Sequence, residues 1–329
     1  VRFMVDQRGK SGQFILTGSA VPKDNVVQHT GTGRISRLLM RPMSLYESME
    51  SNGSVSLKAL FDGETEIDNF STLTIEQITF AIVRGGWPAS IGKSEKIALR
   101  HAIDYVEAII NADVSRVDGI EKNPVRVRAL LRSLSRNIST LATIRTIHDD
   151  IAMGDADESI SEKTISQYLG ALDRIFVTEN LPAWNPALRS KTAIRTSPKR
   201  QFVDPSIAAA VLRLTPSRLL EDFNYFGFLF ESLCDRDLRI YAEAIDGQVF
   251  HYRDASGLEA DAVIALNDGR WAAVEVKLGS KEIEDAAVHL LELKNKVNTE
   301  KMREPSFLMI LTGSEIAYRR EDGVYVVPL

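Results

Sequence analysis

The chain has 329 residues, room for two or three domains, and its 44% hydrophobic and 26% charged residues exclude a disordered or fibrous protein. A formal charge of −5 excludes a generally basic nucleic-acid binder, so any nucleic-acid surface must be a local patch. One cysteine, Cys234, excludes a disulfide framework or a Cys-rich zinc site and fits a reducing bacterial cytoplasm. No apolar stretch is long enough to span a membrane.

The first element is Gln13-Phe14-Ile15-Leu16-Thr17-Gly18-Ser19, an apolar run ending in Gly-Ser that predicts a buried strand opening into a loop. Such a strand needs neighbours, and few residues precede it. Residues 30–41 are rich in Gly and Arg and include Arg34. Residues 54–113 read as mainly helical, with a capping signal in Thr74-Ile75-Glu76-Gln77 and an interruption at Gly85-Gly86-Trp87-Pro88. The stretch from Gly86 to Ser94 imitates a phosphate-binding loop. It has five residues between its glycines where four are needed, one of them Pro, and it predicts a structural turn. Asn123-Pro124 opens a further helix.

Residues 137–205 predict a helix, a polar break, a second helix capped at Ser161, and two extended pieces at 175–179 and 200–204. That is the element order of a winged helix. Lys122, Arg126, Arg128, Arg132, Arg136 and Arg145 precede the second helix, and Arg189, Lys191, Arg195, Lys199 and Arg200 fall in a stretch without acids. A reading helix with a basic wing is one way to hold DNA; the alternative is a set of solvated faces, or a module docked on its neighbour. The last third alternates: a helix over 224–242, strands near 249–252, 258–266 and 271–277, a helix over 282–296, and strands at 307–311 and 324–327. The prediction is an α/β fold with a mixed sheet.

The hairpin over 258–277 carries the chemistry. With Asn267-Asp268-Gly269 as its loop, Asp261 lies across from Glu275, with Cβ atoms roughly 5 Å apart. Lys277 is two residues on and shares that face; a register slip of one would undo the arrangement. Carboxylates this close repel unless a cation separates them. Mg²⁺ (or Mn²⁺) suits, since it is held by one or two carboxylates plus substrate phosphates. Glu231 sits on the preceding helix among aromatics, where a bare charge is costly. Asp261, Glu275 and Glu231 are the expected metal ligands, and together with Lys277 the expected catalytic set. The competing reading is an ordinary ion-pair ladder on a sheet face.

Glu231, Glu259-Ala260-Asp261 and Glu275-Val276-Lys277 together resemble the PD-(D/E)XK nuclease superfamily pattern over residues 220–329, with Ala260 where the motif has Pro. A longer series resembles a bacterial family that joins an AAA-type ATPase domain to a C-terminal domain of unknown function similar to the nuclease-like fold. That series comprises Phe14 to Ala20, Gly33-Arg34, Arg41-Pro42-Met43-Ser44-Leu45-Tyr46-Glu47, Gly85-Gly86-Trp87-Pro88, Ser197-Pro198-Lys199, Phe202-Val203-Asp204 and Arg253.

The resemblance implies four parts. Residues 1–50 would be a remnant of the ATPase domain, with Thr17, Ser19 and Arg34 sensing nucleotide. Residues 51–136 would be a helical region, 137–205 a winged-helix-like module, and 206–329 a restriction-endonuclease-like mixed sheet with flanking helices. Both Walker segments are expected upstream of the sensor strand, so ATP is an expected cofactor only if that part exists. The implied function is an ATPase-family protein whose nuclease-like, Mg-binding domain acts on nucleic acid. The alternative is a non-catalytic DNA-binding or protein-interaction module that keeps the nuclease fold. Nucleic acid and further copies of the chain are the expected partners, a membrane is not, and the location expected is cytoplasmic.

Overall fold

Apolar residues at helical spacing build a helical layer, and continuous apolar runs near the end of the chain build a sheet. The computed structural model describes residues 1–10, 12–18, 36–116, 122–154, 160–187 and 194–329. Its helices are α1 (Arg2–Arg8), α2 (Leu57–Phe61), α3 (Ile75–Arg84), α4 (Glu95–Ala108), α5 (Val114–Arg116), α6 (Pro124–Arg136), α7 (Ile144–Gly154), α8 (Glu162–Arg174), α9 (Pro205–Val211), α10 (Pro216–Glu221), α11 (Phe223–Glu243) and α12 (Ile283–Lys296). The strands are β1 (Asn69–Phe70), β2 (Gly247–Arg253), β3 (Glu259–Leu266), β4 (Trp271–Lys277), β5 (Leu308–Thr312), β6 (Ile316–Arg319) and β7 (Tyr325–Pro328). They form one mixed sheet in the order β1-β6-β7-β5-β4-β3-β2.

The α/β expectation holds. β4 and β5 are the inner strands, parallel to each other, and helices cover both of their faces. On one face Phe226, Leu229, Phe230 and Leu233 of α11 join a core that includes Ala262, Ile264, Val274 and Val276. On the other, Ala286, Ala287, Leu290 and Leu293 of α12 pack with Trp271, Ala273, Leu308 and Ile310. Strands buried on both faces read as unbroken apolar runs, which is why β4 and β5 are legible in the sequence.

The β3–β4 hairpin has the expected register. Ala262 pairs with Val274 and Ala265 with Trp271, and Leu266 N–H bonds the Arg270 carbonyl at 2.8 Å across a three-residue loop. Gly269 in that loop has φ +86°, a conformation open to glycine without strain. The expected caps also form: Thr74 and Gln77 make a reciprocal capping box, Asn123 caps α6 with Pro124 in its first turn, and Ser161 caps α8.

Three expectations need correction. Residues 13–18 form no strand, and Ile15 and Leu16 are 91% and 65% exposed, because no described segment supplies the ladder that would turn an apolar run into a buried strand. Two short strands, β1 and β6, were not expected; β1 pairs with β6 and so ties residues 69–70 to the C-terminal sheet. The third concerns the basic wing. The helices α7 and α8 are followed by an antiparallel pair, with Thr178 bridged to Phe202 and Leu181 to Lys199; the polar break expected between the helices lies largely outside the described residues. Lys199 and Arg200, however, are only 7% and 8% exposed and face inward, as does Lys122. The Lys199 charge meets Glu231 and Asp261 and the Arg200 guanidinium the Ala142 carbonyl, so neither is presented outward from that strand.

Candidate active site

α11 starts where Asp222 accepts the Tyr225 N–H at 3.0 Å, and its apolar residues pin one face to the sheet. The next positions around that helix carry Glu231 and, one turn on, Asp235, brought onto the same side by the i,i+4 spacing. Asp261 begins the inner part of β3, and Glu275 and Lys277 end β4. Glu275 is 1% exposed in the middle of the sheet, so its carboxyl cannot be solvated by bulk water.

Three of the four residues singled out in the sequence meet directly. Lys277 Nζ lies 2.7 Å from Glu275 Oε2 and 3.5 Å from Asp261 Oδ2, and Asp261 Oδ2 also accepts the Val276 N–H at 2.8 Å. The Glu275 carboxyl is within hydrogen-bonding reach of Asp261, while Glu275 Oε1 meets no donor among the described residues. Two acceptors in that relation need a proton or a cation between them. Burial first, and then the neighbouring Asp261 charge, push Glu275 up to about 9, so Glu275 carries the proton. Burial opposes ionisation of Asp261 too, yet Lys199, Lys277 and the Val276 N–H together hold it below the usual carboxylate range.

The fourth residue, Glu231, reaches the others through a lysine. Lys199 Nζ donates to Glu231 Oε1 at 2.5 Å and to the Asp261 carbonyl at 3.0 Å, and stands 3.6 Å from Asp261 Oδ1. Burial would neutralise Lys199, but Glu231 and Asp261 outweigh it and hold the ammonium well above its ordinary pKa. Burial pushes Glu231 up to about 8 against the pull of Lys199. The pair is therefore one buried ammonium shared by too many carboxyls rather than a simple ion pair.

Asp235 is the further acid, pushed up to about 6 by burial. Its Oδ2 accepts Gln201 Nε2 at 2.7 Å, while Oδ1 has no hydrogen-bond partner among the described residues. Neither Lys199 nor Asp235 was singled out for this site in the sequence. Asp235 was recoverable from its spacing to Glu231; Lys199 stood in the basic stretch and in the Ser197-Pro198-Lys199 motif, neither of which tied it to this site.

Among the described residues no three His, Cys, Asp or Glu side chains are gathered to hold a metal ion. The Asp261–Glu275 pair nevertheless has the donor chemistry for Mg²⁺ or Mn²⁺: two oxygen ligands in mutual reach, one buried oxygen without a donor, and Lys277 alongside. Glu231 is not a third ligand in this arrangement because Lys199 holds it. Of the residues expected to sense nucleotide, Thr17 is exposed, and Ser19 and Arg34 lie outside the described residues.

The other motifs converge on the turn of α11 beyond Asp235. Arg236, 1% exposed, donates to Asp204 Oδ2 at 2.9 Å and to Asp237 Oδ1 at 2.8 Å. Asp204 also accepts the N–H groups of Gly86 and Ser206, and Asp237 accepts that of Leu45, each at 2.9 Å. Gly86 has no room for a side chain, since a Cβ there would stand 2.1 Å from the Met43 carbonyl oxygen. Gly85-Gly86-Trp87 is thus the expected structural turn, docked on Asp204 and Ser206 rather than shaped for phosphate.

Residues 75–218 match a family model described as a domain of unknown function (DUF8612), and residues 226–329 match a second, also described as a domain of unknown function (DUF4143). The boundary between them falls just before α11 delivers Glu231. No curated protein matches the chain. Among solved structures, a half-complex from a tetradecameric assembly of Thermococcus gammatolerans McrB AAA+ hexamers with bound McrC is similar at TM-score 0.24 and 10% identity. The match covers 61% of this chain and 70% of that one. No helix among the described residues is long and apolar enough to cross a membrane.

Proposed function

We propose that residues 206–329 form a PD-(D/E)XK nuclease-like domain that binds Mg²⁺ or Mn²⁺ and acts on nucleic acid, within a protein related to the AAA-type ATPases. The observation that carries this reading is the Asp261–Glu275 carboxyl pair, buried at the end of two adjacent strands with the Lys277 ammonium beside both. Asp261 and Glu275 would hold the ion. It would supply Lewis acidity toward a phosphodiester and lower the pKa of an attacking water. Lys277, beside both carboxyls, would orient that water or neutralise charge developing on phosphate. Glu231 and Asp235 keep the region acidic from the helix side. The relation to ATPases rests on the motif series from Phe14 to Asp204, as do nucleotide sensing by Thr17, Ser19 and Arg34 and a winged-helix role for residues 137–205.

Plasmid cleavage in Mn²⁺ tests the assignment. Wild type is expected to nick or linearise the DNA, and Asp261→Ala to lose that activity by about 10³-fold or more, the scale expected when a ligand of the reacting ion is removed. Activity that survives in Asp261→Ala sinks the catalytic assignment. A second reading has its own observation: both lysines already neutralise part of the acidic set, and Glu231 stands apart from the strand carboxyls. A module that keeps the fold for binding nucleic acid or protein would look the same. It takes over if wild type cleaves nothing with any divalent metal yet binds DNA or a partner.

A further inference from the structure

Resting on that metal-site reading, we infer that Lys199 is a tethered counter-cation. Its ammonium ties up Glu231 and Asp261 Oδ1 beside the Asp261–Glu275 pair, and its expulsion on metal loading frees both for the ion. Three contacts carry the inference. Lys199 Nζ is 2.5 Å from Glu231 Oε1, 3.0 Å from the Asp261 carbonyl oxygen and 3.6 Å from Asp261 Oδ1. An ammonium has three donors and no acceptor, and here they are directed at the kind of hard oxygens that Mg²⁺ or Mn²⁺ prefers. Those ions approach carboxylate oxygens to about 2.0–2.2 Å, so ammonium and ion cannot both engage this pair of residues.

Charge balance points the same way. Among the described residues the four carboxyl groups of Glu231, Asp235, Asp261 and Glu275 meet the cations Lys199 and Lys277, with Arg239 acting on Asp235 from beyond. With both lysines in place, Glu275 Oε1 and Asp235 Oδ1 are still buried without a hydrogen-bond partner among the described residues. A divalent ion would serve oxygens that one ammonium cannot. The lysine is also mounted so that its side chain can leave while its backbone stays. Lys199 exchanges two backbone hydrogen bonds with Leu181, at 2.9 and 3.0 Å, in an isolated bridge outside the main sheet. The next residue is held independently, with Arg200 N–H on the Thr140 carbonyl and Arg200 Nε on the Ala142 carbonyl, each at 2.8 Å.

Calorimetric titration with Mn²⁺ on the whole chain tests this. Lys199→Gln is expected to bind Mn²⁺ at least about tenfold more tightly than wild type, because it no longer has to expel a buried ammonium; Lys199→Arg, which keeps a cation there, is expected to gain nothing. Should Lys199→Gln fail to fold, wild type answers alone. Reductive methylation followed by mass spectrometry is expected to leave Lys199 protected without metal and to modify it severalfold faster in saturating Mn²⁺. Equal affinity in wild type and Lys199→Gln, or unchanged protection of Lys199 on Mn²⁺ binding, overturns the counter-cation role and leaves the metal site standing. Absence of Mn²⁺ binding in both proteins overturns the role and the metal site together.

Discussion

Among single residues, His251 offers a test that does not depend on the chemistry of the site. It lies on β2, 1% exposed, with Nε2 2.9 Å from the Ser197 carbonyl, two residues from Lys199. That carbonyl needs a donor, so the neutral ring carries its proton on Nε2. Burial, then the Lys199 and Arg253 charges, depress His251 to about 4, against about 6.5 for an unfolded histidine. Between these values the unfolded chain binds a proton that the folded chain refuses. The contribution is therefore neutral above pH 6.5, and stability is lost progressively as pH falls through 6.5 toward 4, by on the order of 3 kcal/mol if the full shift is realised. His251→Gln keeps an N–H donor for the carbonyl and removes the titration. Urea unfolding at pH 7 and pH 4.5 should show a larger loss for wild type than for the variant; equal losses would mean that His251 is not buried neutral.

At the scale of elements, α11 connects the two halves of the sequence reading. Its middle delivers Glu231 and Asp235 to the site, and its next turn delivers Arg236 and Asp237 to the buried network beneath the Gly85-Gly86 turn. Removing one partner from a buried charge cluster leaves the others uncompensated. Arg236→Met should cost about 3–5 kcal/mol, whereas Arg126→Met on an exposed face of α6 should stay within about 0.5 kcal/mol, both read from urea midpoints. A small loss in Arg236→Met would show that Asp204 and Asp237 are satisfied without it. α11 and the β3–β4 hairpin were legible because their signals are local: helical periodicity in one, a three-residue turn and alternation in the other. That is why Asp261, Glu275 and Lys277 could be placed together from sequence. Lys199 could not, because its role depends on a bridge to Leu181 and on α11 thirty-two positions away from it at Glu231. The short strands β1 and β6 were missed because two and four residues give no usable periodicity, and residues 13–18 show the converse, strand-like composition without a partner among the described residues.

Across the whole molecule, the boundaries suggested by composition are not breaks in the packing. One hydrophobic core runs from Leu45 through Val127, Leu172 and Phe226 to Val327, and a second joins Trp184 to Tyr252 and Trp271. The C-terminal sheet takes an edge strand from residues 69–70, and its β2 edge is bridged at His251 by Ala183. Residues 206–329 alone would lose Asp204 from Arg236, the Leu45 N–H from Asp237, Lys199 from Glu231 and Asp261, and β1 from β6. Arg236 would keep Asp237 but lose its second buried carboxylate, and breaking a buried ion pair in this way costs about 3–5 kcal/mol, a large share of the roughly 5–15 kcal/mol that holds a domain together. The fragment is therefore expected to retain helix and strand signal in far-UV circular dichroism but to bind a hydrophobic dye and melt without a cooperative transition. The full chain should show one sharp transition and little dye binding. A sharp melt and dispersed NMR spectrum for residues 206–329 would show that the site is organised by its own domain. In that case the contacts from residues 45, 69–70, 199 and 204 add to a scaffold that stands without them.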